Sequence, residues 1–125
     1  MSQVEKSHEY ALFQKKCDAL LQEPEIRFAG LINHMGHLVS GGMKKDIVPL
    51  EDEADQRKMY MELILRVTMR REFDYSLGPV KYSASRREKA VVISFPIGNK
   101  VLLVSTEPNV NIDDTAKKVM KISGI

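Results

Sequence analysis

The stretch Asp55–Phe73, DQRKMYMELILRVTMRREF, decides how the rest of the chain is read. Tyr60, Leu63, Ile64 and Val67 fall at i, i+3, i+4 and i+7, which makes one apolar stripe of an α-helix. Met61, Leu65 and Met69 recur every fourth residue and form a second stripe, well round the wheel from the first. Only a narrow polar strip remains, where Glu62, Arg66 and Arg70 stack one turn apart and are spaced to pair. A helix with two apolar faces has to be covered on both. A sheet of its own chain supplies one cover. For the other, a second copy of the chain is an economical candidate.

Length and composition bound the rest. A chain of 125 residues is expected to be a single domain over 1–125 with one core, residues 1–6 being polar and flexible. Apolar residues at 43% and charged residues at 29% are ordinary for a soluble globular protein. The net charge of +2 is too small to announce a nucleic-acid binder. One cysteine, Cys17, cannot form an internal disulfide, and nothing reads as a signal peptide or a membrane-length apolar run. The expected home is cytoplasmic, with no membrane partner. Seven methionines and no tryptophan suggest an adaptable interior or contact surface.

Outward from the central helix the chain alternates clearly. Ser7 is expected to cap a first helix running to about Gln22, with Tyr10, Phe13, Cys17, Leu20 and Leu21 at helical spacing and Pro24 beyond its end. Ile26–Asn33 reads as a strand apolar on both faces, and the turn His34-Met35-Gly36-His37 leads to a return strand from Leu38 to Ser40, closed at Gly41-Gly42. Residues 43–50 read as an exposed loop, and Glu51, Asp52, Glu53 and Asp55 suit the positive start of the central helix. After Gly78-Pro79, Val80–Ser85 alternates apolar and polar as a half-exposed strand does. Ala90–Ile97 and Lys100–Thr106 flank Gly98-Asn99, the strongest hairpin signal in the chain, with a bulge or early exit expected at Pro96. A last helix starts near Ile112, capped by Asn111 or Asp113, with Ile112, Ala116, Val119 and Met120 on one face. The expected fold is therefore α+β, in the order α-β-β-α-β-β-β-α, with a five-stranded antiparallel sheet flanked by helices.

This order resembles the roadblock/dynein-light-chain family of the profilin-like group. The resemblance is carried by the hairpin GLINHMGHLVSGG, the long apolar second helix and the strand trio VKYSAS, AVVISFPIG and KVLLVSTEP, and spans roughly Ile26 to Met120. The sequence also looks like a set of small archaeal proteins of no known activity. The roadblock resemblance implies a homodimer in which third strands pair edge to edge and second helices pack together. Mapped onto this chain, that interface takes Met61, Leu65 and Met69 with Val80, Tyr82 and Ala84. It further implies a non-enzymatic platform that binds or regulates a small Ras-like GTPase or anchors a larger assembly. The chain departs from the family pattern in its loop 43–50 and in the basic turn Arg86-Arg87-Glu88-Lys89.

Candidate chemistry is sparse. His34 and His37 flank a turn but have no third ligand nearby in sequence, so no metal is expected. Cys17 sits on an apolar helix face, as a buried thiol does. Ser83, Ser85, Ser94 and Ser105 lack a nucleophile-elbow context, Asp113-Asp114 suit a helix start, and Gly41-Gly42-Met43-Lys44-Lys45 lacks Walker spacing. No catalytic residue and no cofactor are expected. Lys44, Lys45, Arg86, Arg87 and Lys89 form a candidate partner-binding rim, although the interleaved aromatics of a single-strand binder are missing. Two other readings stand beside the interaction module. One is a PAS-like small-molecule sensor with a cavity lined by Phe28, Phe95 or Tyr82; the other is a weak nucleic-acid binder.

Overall fold

The computed structural model describes residues 3–125. Along them run α1 (Gln3–Leu20), β1 (Ile26–Ile32), β2 (Leu38–Met43), α2 (Glu53–Arg70), α3 (Asp74–Leu77), β3 (Ser83–Arg86), β4 (Val91–Ile97), β5 (Lys100–Thr106) and α4 (Ile112–Ser123). A single turn of 3-10 helix, Arg71–Phe73, joins α2 to α3. The strands form one antiparallel sheet of order β2-β1-β5-β4-β3. This is the α+β architecture read from the sequence, with five strands and helices on both faces.

Strand alternation sorts the core into two halves. Ala29, Ile93, Phe95, Leu102 and Val104 point to one face, where Cys17 and Leu20 of α1 and Ala116 and Val119 of α4 close over them. Phe28, Ile32, Val101 and Leu103 point to the other, where Tyr60, Leu63 and Val67 of α2 cover them. The central strands β1 and β5 are thus apolar on both faces, which explains their near-continuous runs of buried residues. α2 begins where Asp52 accepts from the Asp55 N–H, and α4 where Asn111, rather than Asp113, accepts from the Asp114 N–H.

Four details differ from the sequence reading. The first helix begins at Gln3 rather than at a Ser7 cap; of the start expected to be flexible, residues 1 and 2 lie outside the described residues. β2 does not close at Gly41-Gly42 but runs through them, with Gly41 opposite Gly30 and Gly42 opposite Ala29, because the ladder is made by backbone groups that glycine also carries. β3 starts at Ser83 instead of Val80 and reaches Arg86. Pro96 causes no bulge: β4 stays in register with β5 through Ile97, since β3 begins only opposite Ser94 and the missing N–H can face the unpaired flank.

α4 is tied to the start of β1 by charge. Lys118 Nζ lies 2.7 Å from Glu25 and 3.5 Å from Glu23. The hydrogen bond from Lys118 holds the Glu25 carboxyl below its usual 4.5, and the same bond raises Lys118 above its usual 10.5. A carboxylate depressed in the folded state adds stability that is present above its unfolded pKa and fades as pH falls through the folded one. Lys118→Met is therefore expected to cost under about 1 kcal/mol at neutral pH, the scale of a solvent-screened pair. In thermal melts that difference from the parent should close on acidification below the ordinary Glu25 value.

Candidate interaction surface

With Tyr60, Leu63 and Val67 turned to the sheet, the second stripe of α2 faces out. Met61, Leu65 and Met69 are 48%, 60% and 67% exposed, and Phe73 extends the stripe at 59%. They line an open groove whose flanks are charged, with Arg57 and Lys58 toward the helix start and Arg70 and Glu72 toward its end. Glu62 and Arg66 pair across one turn at 3.1 Å, as their spacing predicts. Arg70 instead donates to Ser83 Oγ at 2.8 Å and so fixes the start of β3 to the end of α2. Arg71 bonds to the Gly98 carbonyl. Gly36 of the β1–β2 turn abuts Met61, while Leu65 and Met69 stay open.

The outer edge of β3 is likewise free, since β3 pairs with β4 alone among the described strands. Ala84 on that strand is exposed, and Val80 is half-buried in the segment before it. Tyr82 is placed differently from an edge residue. Its ring stacks on Phe95 at 6.1 Å and its hydroxyl bonds to Asp113, so it joins the α4 side of the core.

The basic rim does not assemble into one patch. Lys44 Nζ donates to the Glu23 carbonyl at 2.7 Å, and the Arg86 guanidinium donates to the Pro108 and Val110 carbonyls, both at 2.6 Å. Lys45, Arg87 and Lys89 are exposed. Residues 44 and 45 follow β2, whereas Arg86 ends β3 and residues 87–89 follow it; these are opposite edges of the sheet, about 19 Å apart at four strand spacings.

A second concavity was not legible in the sequence. Between the first half of α2 and the sheet lies a cleft of about 530 Å³. Its floor is the cross-strand row Met43, Phe28, Ser105, Val92 and Ser85, and its mouth is Arg87, Glu88 and Lys89. Phe28 lines it, but Phe95 is 1% exposed on the opposite face of the sheet with Tyr82 against it, so the three aromatics share no cavity.

His34 and His37 are exposed in a turn pinned by Asn33, whose side-chain oxygen accepts from the Met35 and His37 N–H groups at 3.0 Å. No group of three His, Cys, Asp or Glu side chains among the described residues is placed to hold a metal. Burial pushes the Cys17 thiol up to about 12, which removes the thiolate that reactivity requires. Thiol reagents should therefore label Cys17 only as fast as the protein unfolds, a rate readable from absorbance kinetics with and without denaturant. No helix among the described residues is long and apolar enough to cross a membrane.

A five-stranded antiparallel sheet with α2 on one face and α1 and α4 on the other is the Roadblock/LC7 fold. MglB from Myxococcus xanthus superposes with a TM-score of 0.70 at 15% identity, over 93% of this chain and 85% of that one. A Roadblock/LC7 domain from Streptomyces avermitilis gives 0.64 at 13% identity, over 89% and 91%. The gliding protein MglB from Thermus thermophilus gives 0.65 at 11%, over 92% and 90%. No curated protein matches the sequence. The profile of DUF6659, a family of unknown function, matches residues 5–124, and the chain belongs to that family.

Proposed function

We propose that the protein is a non-catalytic, homodimeric interaction module whose α2 and β3 form the contact between copies. The observation that carries this reading is the exposed stripe of Met61, Leu65 and Met69 on a helix already buried along its other apolar face. Exposed apolar surface of this continuity marks an interaction site. The open β3 edge beside it supplies unpaired backbone groups for a second copy of the strand. The Roadblock/LC7 fold agrees with such a role, and by that resemblance the dimer would present a surface to a small Ras-like GTPase or a larger assembly. Light scattering over a dilution series tests the dimer: a mass near twice 14.2 kDa is expected. A monomer at every concentration would sink the reading.

The GTPase step has its own check. Purified small GTPases in GDP- and GTP-bound forms, passed over immobilised protein, should show a nucleotide-dependent difference in retention. The sensor reading keeps Phe28 in a cleft but loses Phe95 and Tyr82, and the nucleic-acid reading loses its continuous basic rim. The interaction module is the reading that uses the exposed features.

A further inference from the structure

The cleft beneath α2 and the segment that follows α2 stand in complementary relation. The segment is unusually exposed for its composition: Tyr75 is 98% and Leu77 84% exposed, just beyond Phe73. It runs from the end of α2 to the start of β3. The cleft is floored by Phe28, Met43 and Val92 and walled by Met59, Tyr60 and Leu63. One copy thus carries an apolar arm without a seat, and a cleft with an apolar floor and a charged rim without an occupant.

We propose that in the dimer Tyr75 and Leu77 of each copy seat in the cleft of the other, an inference that rests on the homodimer reading above. Strand direction supplies the geometry. If two free β3 edges pair antiparallel about a two-fold axis, the residues before Ser83 in one copy lie beside those after Arg86 in the other. The residues after Arg86 are Arg87, Glu88 and Lys89, the mouth of the cleft. The chain from Leu77 to Ser83 can span up to about 20 Å, whereas the cleft floor at Val92 and Ser105 lies two to three strand spacings from the other copy's β3, roughly 10–15 Å.

Charge agrees with this orientation. α2 opens with Glu53 and Asp55 and closes with Arg70, followed by Arg71. An antiparallel pair of such helices sets each basic end, with the arm just beyond it, against the acidic end of the other copy, where Glu51 and Asp55 line the cleft. Lys81, exposed just before β3, would meet the partner's Glu88.

The test uses cross-linking between singly substituted chains. Leu77→Cys protein is mixed with Met59→Cys protein, equilibrated, and treated with a short bis-maleimide; the buried Cys17 stays silent. A cross-linked heterodimer is expected, and Tyr75→Ser combined with Leu77→Ser should weaken the dimer by at least roughly a hundredfold, because even one buried apolar side chain lost per copy is lost twice in a symmetric dimer. Both changed residues are exposed, so the fold should be unaffected. A stable dimer with no such cross-link, and with unchanged dissociation in the double variant, would overturn the arm-in-cleft contact while leaving the dimer standing. A protein that is monomeric at all concentrations would overturn both.

Discussion

Replacing Leu65 by glutamate is expected to abolish the dimer while leaving the folded chain as stable as before. Leu65 lies mid-stripe and is 60% exposed in one copy, so a carboxylate there stays solvated in the monomer. In the dimer the same carboxylate would be buried against apolar Met61 and Met69 of the facing helix, with no partner charge. Burying an unpaired charge costs several kcal/mol after relaxation, and a symmetric interface suffers it twice. The dissociation constant should therefore rise by at least roughly a thousandfold, taking about 4 kcal/mol as the lower figure. Met61→Glu should behave alike, whereas Lys117→Glu, at an exposed site on α4 across the sheet, should leave the mass unchanged. Light scattering reads the mass and thermal melts read the fold. If Leu65→Glu remains dimeric, α2 is not the contact.

Gly41→Ala should be the most damaging single methyl in the chain. Gly41 has φ +79°, a region that costs an L-residue about 1–2 kcal/mol. Space is the larger obstacle. A Cβ built there lies 2.1 Å from the Ala29 carbonyl oxygen and 2.9 Å from Cβ and Sγ of Cys17. Those atoms belong to the neighbouring strand and to the buried face of α1, so neither can swing aside. The Gly41 N–H also donates to Gln14 Oε1 at 2.8 Å, and Ser40 Oγ donates to the Tyr10 carbonyl at 2.8 Å, which locks α1 onto β2 at this point. A loss above about 3 kcal/mol is expected from strain and overpacking together. Gly98→Ala is the control: φ is +57° but no atom lies within 4 Å, so only the backbone cost should appear. The two variants should separate clearly in urea midpoints, and equal losses would show that close approach of α1 is not what Gly41 provides.

Gly41 also shows where reading the sequence stops. A Gly-Gly pair after three strand residues looks like the end of a hairpin, because locally that is what glycine most often marks. Its continuation as strand depends on β1 lying alongside, and its close approach depends on Cys17, 24 positions earlier in the chain. The basic rim fails to assemble for a similar reason. Lys44 and Arg86 look like free surface charges in sequence, but each finds carbonyls in connections between elements brought close only by folding. The cleft had no local signal at all, since its floor takes one residue from each of five strands.

What the sequence determined by itself is periodic. The two stripes of α2 stand as read, Tyr60, Leu63 and Val67 inward and Met61, Leu65 and Met69 outward, because 3.6-residue spacing places side chains whatever the helix packs on. β5 spans Lys100–Thr106 as its β-branched run and the Gly98-Asn99 turn require. Tertiary structure alone decided that Tyr82 turns inward to Phe95, and that a cleft with an apolar floor and an exposed arm lie beside the same free edge. Those are relations between residues far apart in the chain, and no local period encodes them.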